Sequence, residues 1–164
     1  LTGHLVFSTL HTNDSASAYT RLVDMGVEPF LVASTVEAVM AQRLVRKLCP
    51  ECKQPTDLTT ADLPDDFPKA ELAKVDQIYH SVGCRTCRNI GFSGRLGIYE
   101  MMLTTNEIRQ LANDRASSWK IAQAALSTGM VSLRQDGWRK VLAGVTSIEE
   151  VARTAKADYS LLAR

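Results

Sequence analysis

Apolar residues follow two rhythms along this chain, separated by a stretch that keeps neither. Residues 4–10, His-Leu-Val-Phe-Ser-Thr-Leu, are mostly apolar and predict a short buried strand. His11-Thr12-Asn13-Asp14 ends it, and Asn13 or Asp14 is placed to cap a helix of about ten residues. That helix runs through Ser17, Tyr19, Leu22 and Val23 and stops at Gly26, which suits the left-handed position past a helix end. A second helix is predicted from Pro29, a good first-turn residue. Val32, Val36, Val39, Met40 and Leu44 recur three or four apart and read as its buried face, with Arg43, Arg46 and Lys47 complementing the dipole at its C-terminal end.

Residues 53–83 change character. Pro55, Pro64 and Pro68 interrupt them, and Asp57, Asp62, Asp65, Asp66 and Asp76 dominate their charge. They predict a loop-rich insertion with a short helix near Lys69 to Lys74. Gly91, Gly94 and Gly97 then lead into a strand over Leu96 to Met101. The rest reads as helical, near 105–113, 117–127, 132–143 and 147–156. Capping boxes are predicted at Thr104-x-x-Glu107, Ser132-x-x-Gln135 and Ser147-x-x-Glu150, and stops at Gly129 and Gly144.

Composition narrows the class. With 164 residues, 45% apolar and 23% charged, the chain can build one core plus a small satellite, as an ordinary soluble protein does. A net charge of +1 argues against a dedicated nucleic-acid binder. No apolar run is long enough to span a bilayer, and residues 1–10 lack the features of a signal peptide. The abrupt opening Leu1-Thr2-Gly3 is expected to continue a longer protein.

The four cysteines, Cys49, Cys52, Cys84 and Cys87, form two Cys-x-x-Cys pairs. A two-residue gap lets both thiolates of a pair meet one ion from a tight knuckle, and two knuckles complete a tetrahedral shell suited to Zn2+. Such a shell has no open position, so the predicted role is structural: it closes the long loop of the insertion. Other readings are buried free cysteines, two redox pairs, or an iron–sulfur cluster. The first pair follows a predicted helix end, whereas a redox pair belongs at a strand-to-helix turn.

His4 and His11 flank the predicted first strand. In parallel α/β sheets chemistry gathers where strands end, and His11 lies at such an end with Ser8, Thr9 and Thr12 beside it. Polar groups there can hydrogen-bond a phosphate or an attacking water. The plainer reading is a capping histidine that orders the loop.

These residues carry a family likeness. Thr2 to Asn13, Thr-Gly-His-Leu-Val-Phe-Ser-Thr-Leu-His-Thr-Asn, resembles the His box of type II/IV secretion ATPases. Residues 21–30, 41–52, 91–100 and 132–137 resemble segments downstream of that box in the same family. The likeness runs from Leu1 to about Ala157, leaving the tail 158–164 without a counterpart. The tetracysteine insertion is the mark of the secretion E proteins and pilus extension ATPases. The resemblance implies an α/β fold: the distal part of a RecA-like core over 1–48, a zinc module over 49–101 and a C-terminal helical subdomain over 102–164. It implies a parent that is a homo-hexameric cytoplasmic ATPase, using ATP and Mg2+, peripheral to the inner membrane. That motor would drive pilin or pseudopilin assembly through an inner-membrane platform protein and other machinery components, with no nucleic acid. His11 would be the catalytic residue near the γ-phosphate, with Thr9 and Thr12 towards the nucleotide.

The chain departs from the family in one respect. These 164 residues contain no G-x-x-x-x-G-K-[ST] loop and no apolar strand ending in paired acids. They are therefore expected to be inactive alone, with hydrolysis belonging to the parent. The competing reading is a zinc-ribbon adaptor without ATPase activity. Nucleic-acid binding ranks below both, since only Arg85 and Arg88 lie by the second knuckle. Arg43, Arg46 and Arg95 are candidates to approach a nucleotide or a neighbouring subunit, against the plainer reading that the first two serve a helix terminus.

Overall fold

The computed structural model describes residues 3–57, 63–72, 74–75 and 77–156. It is a mixed helix-and-strand structure that divides into two compact units, 1–41 with 100–132, and 42–99 with 133–164. The tail 158–164 and Asp62 and Asp76 of the insertion lie outside the described residues. Among the described residues no helix is long and apolar enough to cross a membrane.

In the first unit, helix α1 (Ser17–Asp24) opens where the Asp14 carboxylate accepts the Ser17 N–H at 2.8 Å. It closes at Gly26, whose φ of +90° lets the Val27 N–H reach back to the Leu22 carbonyl. Helix α2 (Pro29–Thr35) starts at the expected proline but ends after two turns. Arg109, on helix α4 (Asn106–Asn113), donates to the Ala33 carbonyl at 2.6 Å and pairs with Glu37 at 3.1 Å. Helix α5 (Ser118–Ser127) supplies the buried residues Ile121, Ala122, Ala124 and Ala125. Thr105 caps α4, accepting the Ile108 N–H, one residue after the Thr104 expected from the sequence.

Two strand readings are corrected. Residues 4–10 form no strand and are exposed, with Leu5 78%, Val6 77% and Phe7 89% accessible. Apolar character is local, but a strand exists only where another backbone accepts its hydrogen bonds. Conversely, the helix expected to continue to Lys47 gives way to strand β1 (Ala38–Leu48). The buried residues Ala41, Val45 and Leu48 are spaced by four and three, which suits a helix stripe. Positions 39, 41, 43 and 45 nevertheless alternate inward along a pleat, and steps of four belong to both periods. The partner decides: β1 pairs with strand β4 (Phe92–Leu103). Hydrogen bonds from Thr104 N–H to the Glu37 carbonyl and from Cys49 N–H to the Gly91 carbonyl, at opposite ends, make the pair antiparallel.

The second unit contains the insertion: strand β2 (Gln54–Pro55), helix α3 (Lys69–Leu72) and strand β3 (Tyr79–His80). β2 and β3 pair antiparallel, Gln54 opposite His80 and Pro55 opposite Tyr79. The insertion is loop-rich, as expected, yet it supplies part of a core. Phe67 and Ile78 are buried with Trp138 and Val141 of helix α6 (Leu133–Leu142) and with Ile148 and Val151 of helix α7 (Ile148–Thr154). The Phe67 and Trp138 rings meet edge-on, 5.3 Å between centroids. Asp66 accepts hydrogen bonds from Arg134 and, at 3.2 Å, from the Trp138 indole. The acidic residues of this stretch are thus not all solvated: Asp66 is an internal anchor.

Candidate metal centre

Each cysteine pair sits on a closed turn. Cys49 follows the end of β1 directly, and its carbonyl accepts the N–H groups of Cys52 and Lys53 at 3.3 and 3.0 Å. In the second pair the Cys84 carbonyl accepts the Asn89 N–H at 2.8 Å. Arg88 and Asn89 hold left-handed backbone, φ 55° and 61°. Glycine is required on both sides of this knuckle. A Cβ on Gly83 would stand 2.9 Å from the Asn89 carbonyl oxygen, and one on Gly91 would stand 2.7 Å from the Ser81 Cβ. Two links join the turns: the Cys49 N–H donates to the Gly91 carbonyl at 3.0 Å, and the β2–β3 ladder lies between Cys52 and Cys84 in sequence.

The four Sγ atoms lie within 4.8 Å of one another. Cys49–Cys84 and Cys52–Cys87 are each 3.9 Å apart, and Cys84–Cys87 is 3.7 Å. Four sulfurs ~2.3 Å from one tetrahedral centre stand ~3.8 Å apart, whereas a disulfide would bring two of them to ~2.0 Å. The donor set therefore fits a single metal ion held by four thiolates. All four cysteines are free, with Cys49 and Cys87 buried.

Backbone donors favour the charged form. The Cys87 sulfur accepts N–H groups from Cys84 and Gly91, each at 3.2 Å, and the Cys52 sulfur accepts one from Gly83 at 3.3 Å. Burial pushes the Cys87 thiol up, but its two N–H donors and the adjoining thiols outweigh that and bring it down to about 6. Burial raises Cys52, and the neighbouring thiols add to the rise against the Gly83 donor, taking it to about 12. One thiolate forms readily and then opposes the next, an opposition that a cation removes.

The other candidates are differently placed. Thr9 and His11 are exposed on irregular backbone and Thr12 is half-buried. Arg46 is not at a helix terminus, as the sequence suggested, but on β1. Its guanidinium donates to Glu150 at 3.0 and 2.7 Å and lies 4.1 Å over the Phe92 ring. Arg153 pairs with the same carboxylate at 2.8 Å. A cavity of about 410 Å³ opens beside them, lined also by Thr56, His80 and Ser147. Both of its arginines are engaged by Glu150. Arg95 is exposed on β4. Sequence reasoning missed Glu150 as more than a capping residue. Ser147 does accept the Glu150 N–H, but the Glu150 side chain turns to Arg46, 104 positions away.

Residues 1–153 match the family described as type II/IV secretion system protein. The chain belongs to that family. It is 49% identical over 153 residues to the type IV pilus assembly ATPase TfpB of Acinetobacter baylyi, covering 93% of this chain and 26% of that protein. It is 44% identical over 158 residues to the type II secretion system protein E of Pseudomonas aeruginosa, covering 96% and 31%. Against the type IV pilus assembly ATPase PilB of Myxococcus xanthus it is 42% identical over 164 residues, covering 96% and 28%. The chain therefore spans between about a quarter and a third of these relatives. The likeness read from the His box and the 41–52 and 91–100 segments is borne out. In this type II/IV secretion system protein all four cysteines of the cluster fall within one compact unit.

Proposed function

We propose that this chain is the distal part of a cytoplasmic, homo-hexameric ATPase that drives pilin or pseudopilin assembly, with one structural Zn2+ on Cys49, Cys52, Cys84 and Cys87. The observation that carries the reading is 42–49% identity to secretion and pilus ATPases over 93–96% of the chain. The sulfur spacing supports the metal, since four thiolates at these separations close a tetrahedral shell. A closed shell leaves no position for substrate, so the ion would staple the β1 end, the β2–β3 ladder and the second knuckle together.

In this reading 1–48 completes a RecA-like core, and His11, with Thr9 and Thr12, faces the nucleotide. ATP with Mg2+ supplies the phosphoryl group and the charge neutralisation of its transfer. The chain's own contribution is a hydrogen-bonding side chain on an exposed turn that the rest of the core would cover. The motor would be peripheral to the inner membrane and act through a platform protein. The test is ATP turnover by the full-length protein with Mg2+: hydrolysis is expected, and a folded full-length protein without it would overturn the reading.

A further inference from the structure

Glu100 is 2% exposed, on β4, where Ile98 and Met102 on the same inward row are each 0% exposed. A carboxylate in an apolar row costs desolvation that an aliphatic side chain there would avoid. What it adds is a directed acceptor. Its Oε1 takes the backbone N–H of Ser15 at 2.9 Å and the Ser15 hydroxyl at 2.5 Å. Ser15 is 0% exposed, whereas every residue from Gly3 to His11 is exposed. Traced from the N-terminal side, Ser15 is the first wholly buried residue among those described, four positions after His11. Four residues span at most ~14 Å, so this anchor sets the region His11 can reach. Two donors from one residue on one oxygen fix both the peptide plane entering Ser15 and its side-chain rotamer. One helical turn further on, Tyr19 and Thr104 make a separate tie at 2.5 Å, which holds α1 independently.

We infer that Glu100 is a positioning residue for the His11 turn, acting through Ser15. The inference rests on the proposed role of His11 at the nucleotide. The experiment compares variants of the full-length protein by ATP turnover. Glu100→Gln and Ser15→Ala are each expected to lower kcat about tenfold or more while KM for ATP stays within about twofold, because misplacing a group that acts only in the transition state spares ground-state binding. Combining the two should add little, since both weaken the one Ser15–Glu100 contact: Ala removes the hydroxyl donor, and an amide oxygen accepts less strongly than a carboxylate. Thr104→Val, which loosens the other tie of the same helix, should leave kcat near wild type. Ser15→Ala keeps the backbone donor, so it carries the test if Glu100→Gln fails to fold. Equal losses in Thr104→Val would make the link merely structural and overturn the inference. Wild-type kcat in Ser15→Ala and Glu100→Gln, alongside a slowed His11→Ala, would overturn it and leave the His11 role standing. Wild-type kcat in His11→Ala would remove that role, and this inference with it.

Discussion

Glu150 holds Arg46 by both its side chain and its backbone. The carboxylate accepts the Arg46 backbone N–H at 3.0 Å and two guanidinium N–H groups at 3.0 and 2.7 Å. Glu150 is 1% exposed at its side chain while Arg46 is 42% exposed, so the buried partner depends on the other for its charge. Burial pushes the Glu150 carboxyl up, but hydrogen bonds from Arg46 and Arg153 outweigh it and bring the group down to about 2. Removing the acceptor by Glu150→Leu should cost about 2–4 kcal/mol, because it strips Arg46 of its partner and leaves a backbone N–H unmatched. Urea unfolding at neutral pH measures this.

The same carboxylate makes stability depend on pH. Its folded-state value of about 2 lies below the ordinary ~4.3 of an unfolded glutamate. Its contribution is therefore fully present above about pH 4.3 and is lost as pH falls through about 2. Unfolding midpoints measured from about pH 5 to about pH 2.5 should decline, and the decline should be shallower in Glu150→Leu. An identical slope in both proteins would remove Glu150 as the cause.

Metal removal should act locally first. One zinc per chain is expected by elemental analysis, and iron in its place would correct the metal while keeping the ligands. Chelation, or Cys49→Ser, should speed amide exchange over 49–57 and 77–91 before it does so in α4 and α5, which lie in the other compact unit. A folded, metal-free protein with unchanged exchange would contradict the structural role.

The anchor at Asp66 predicts a packing effect. Asp66→Ala leaves Arg134, 8% exposed, without its carboxylate. The expected loss is about 3 kcal/mol. Phe67→Ala, which empties the space against Trp138, should cost about 3–5 kcal/mol. Both should shift the emission of Trp138 to longer wavelength, and Trp119→Phe in the background keeps the signal single.

On the proposed role of His11, His11→Ala in the full-length protein should slow ATP turnover and leave its assembly state unchanged by size-exclusion chromatography. Unchanged turnover would return His11 to an ordering role in the loop.

Where local chemistry set the structure, it was legible. Pro29, the left-handed Gly26 and the helices α4 to α7 fall close to their expected positions, because caps and stops act within four residues. The tetracysteine cluster was legible because two-residue gaps leave thiolates little freedom about where to point. The stretch after Thr35 was not. Ala41 and Val45, four apart, satisfy a helix stripe and a strand face alike, and only pairing with β4 chose between them. Residues 4–10 erred the other way, since apolar character without a hydrogen-bonding neighbour is not a strand.

The sequence by itself determined which four cysteines gather, the family and the ends of most helices, all of which depend on spacings of a few residues. Only the tertiary structure decided that Glu150 belongs to Arg46, Asp66 to Arg134 and Glu100 to Ser15. Each of these carboxylates is buried next to a donor 68 to 104 positions away, and no local pattern encodes which distant backbone will come to meet it.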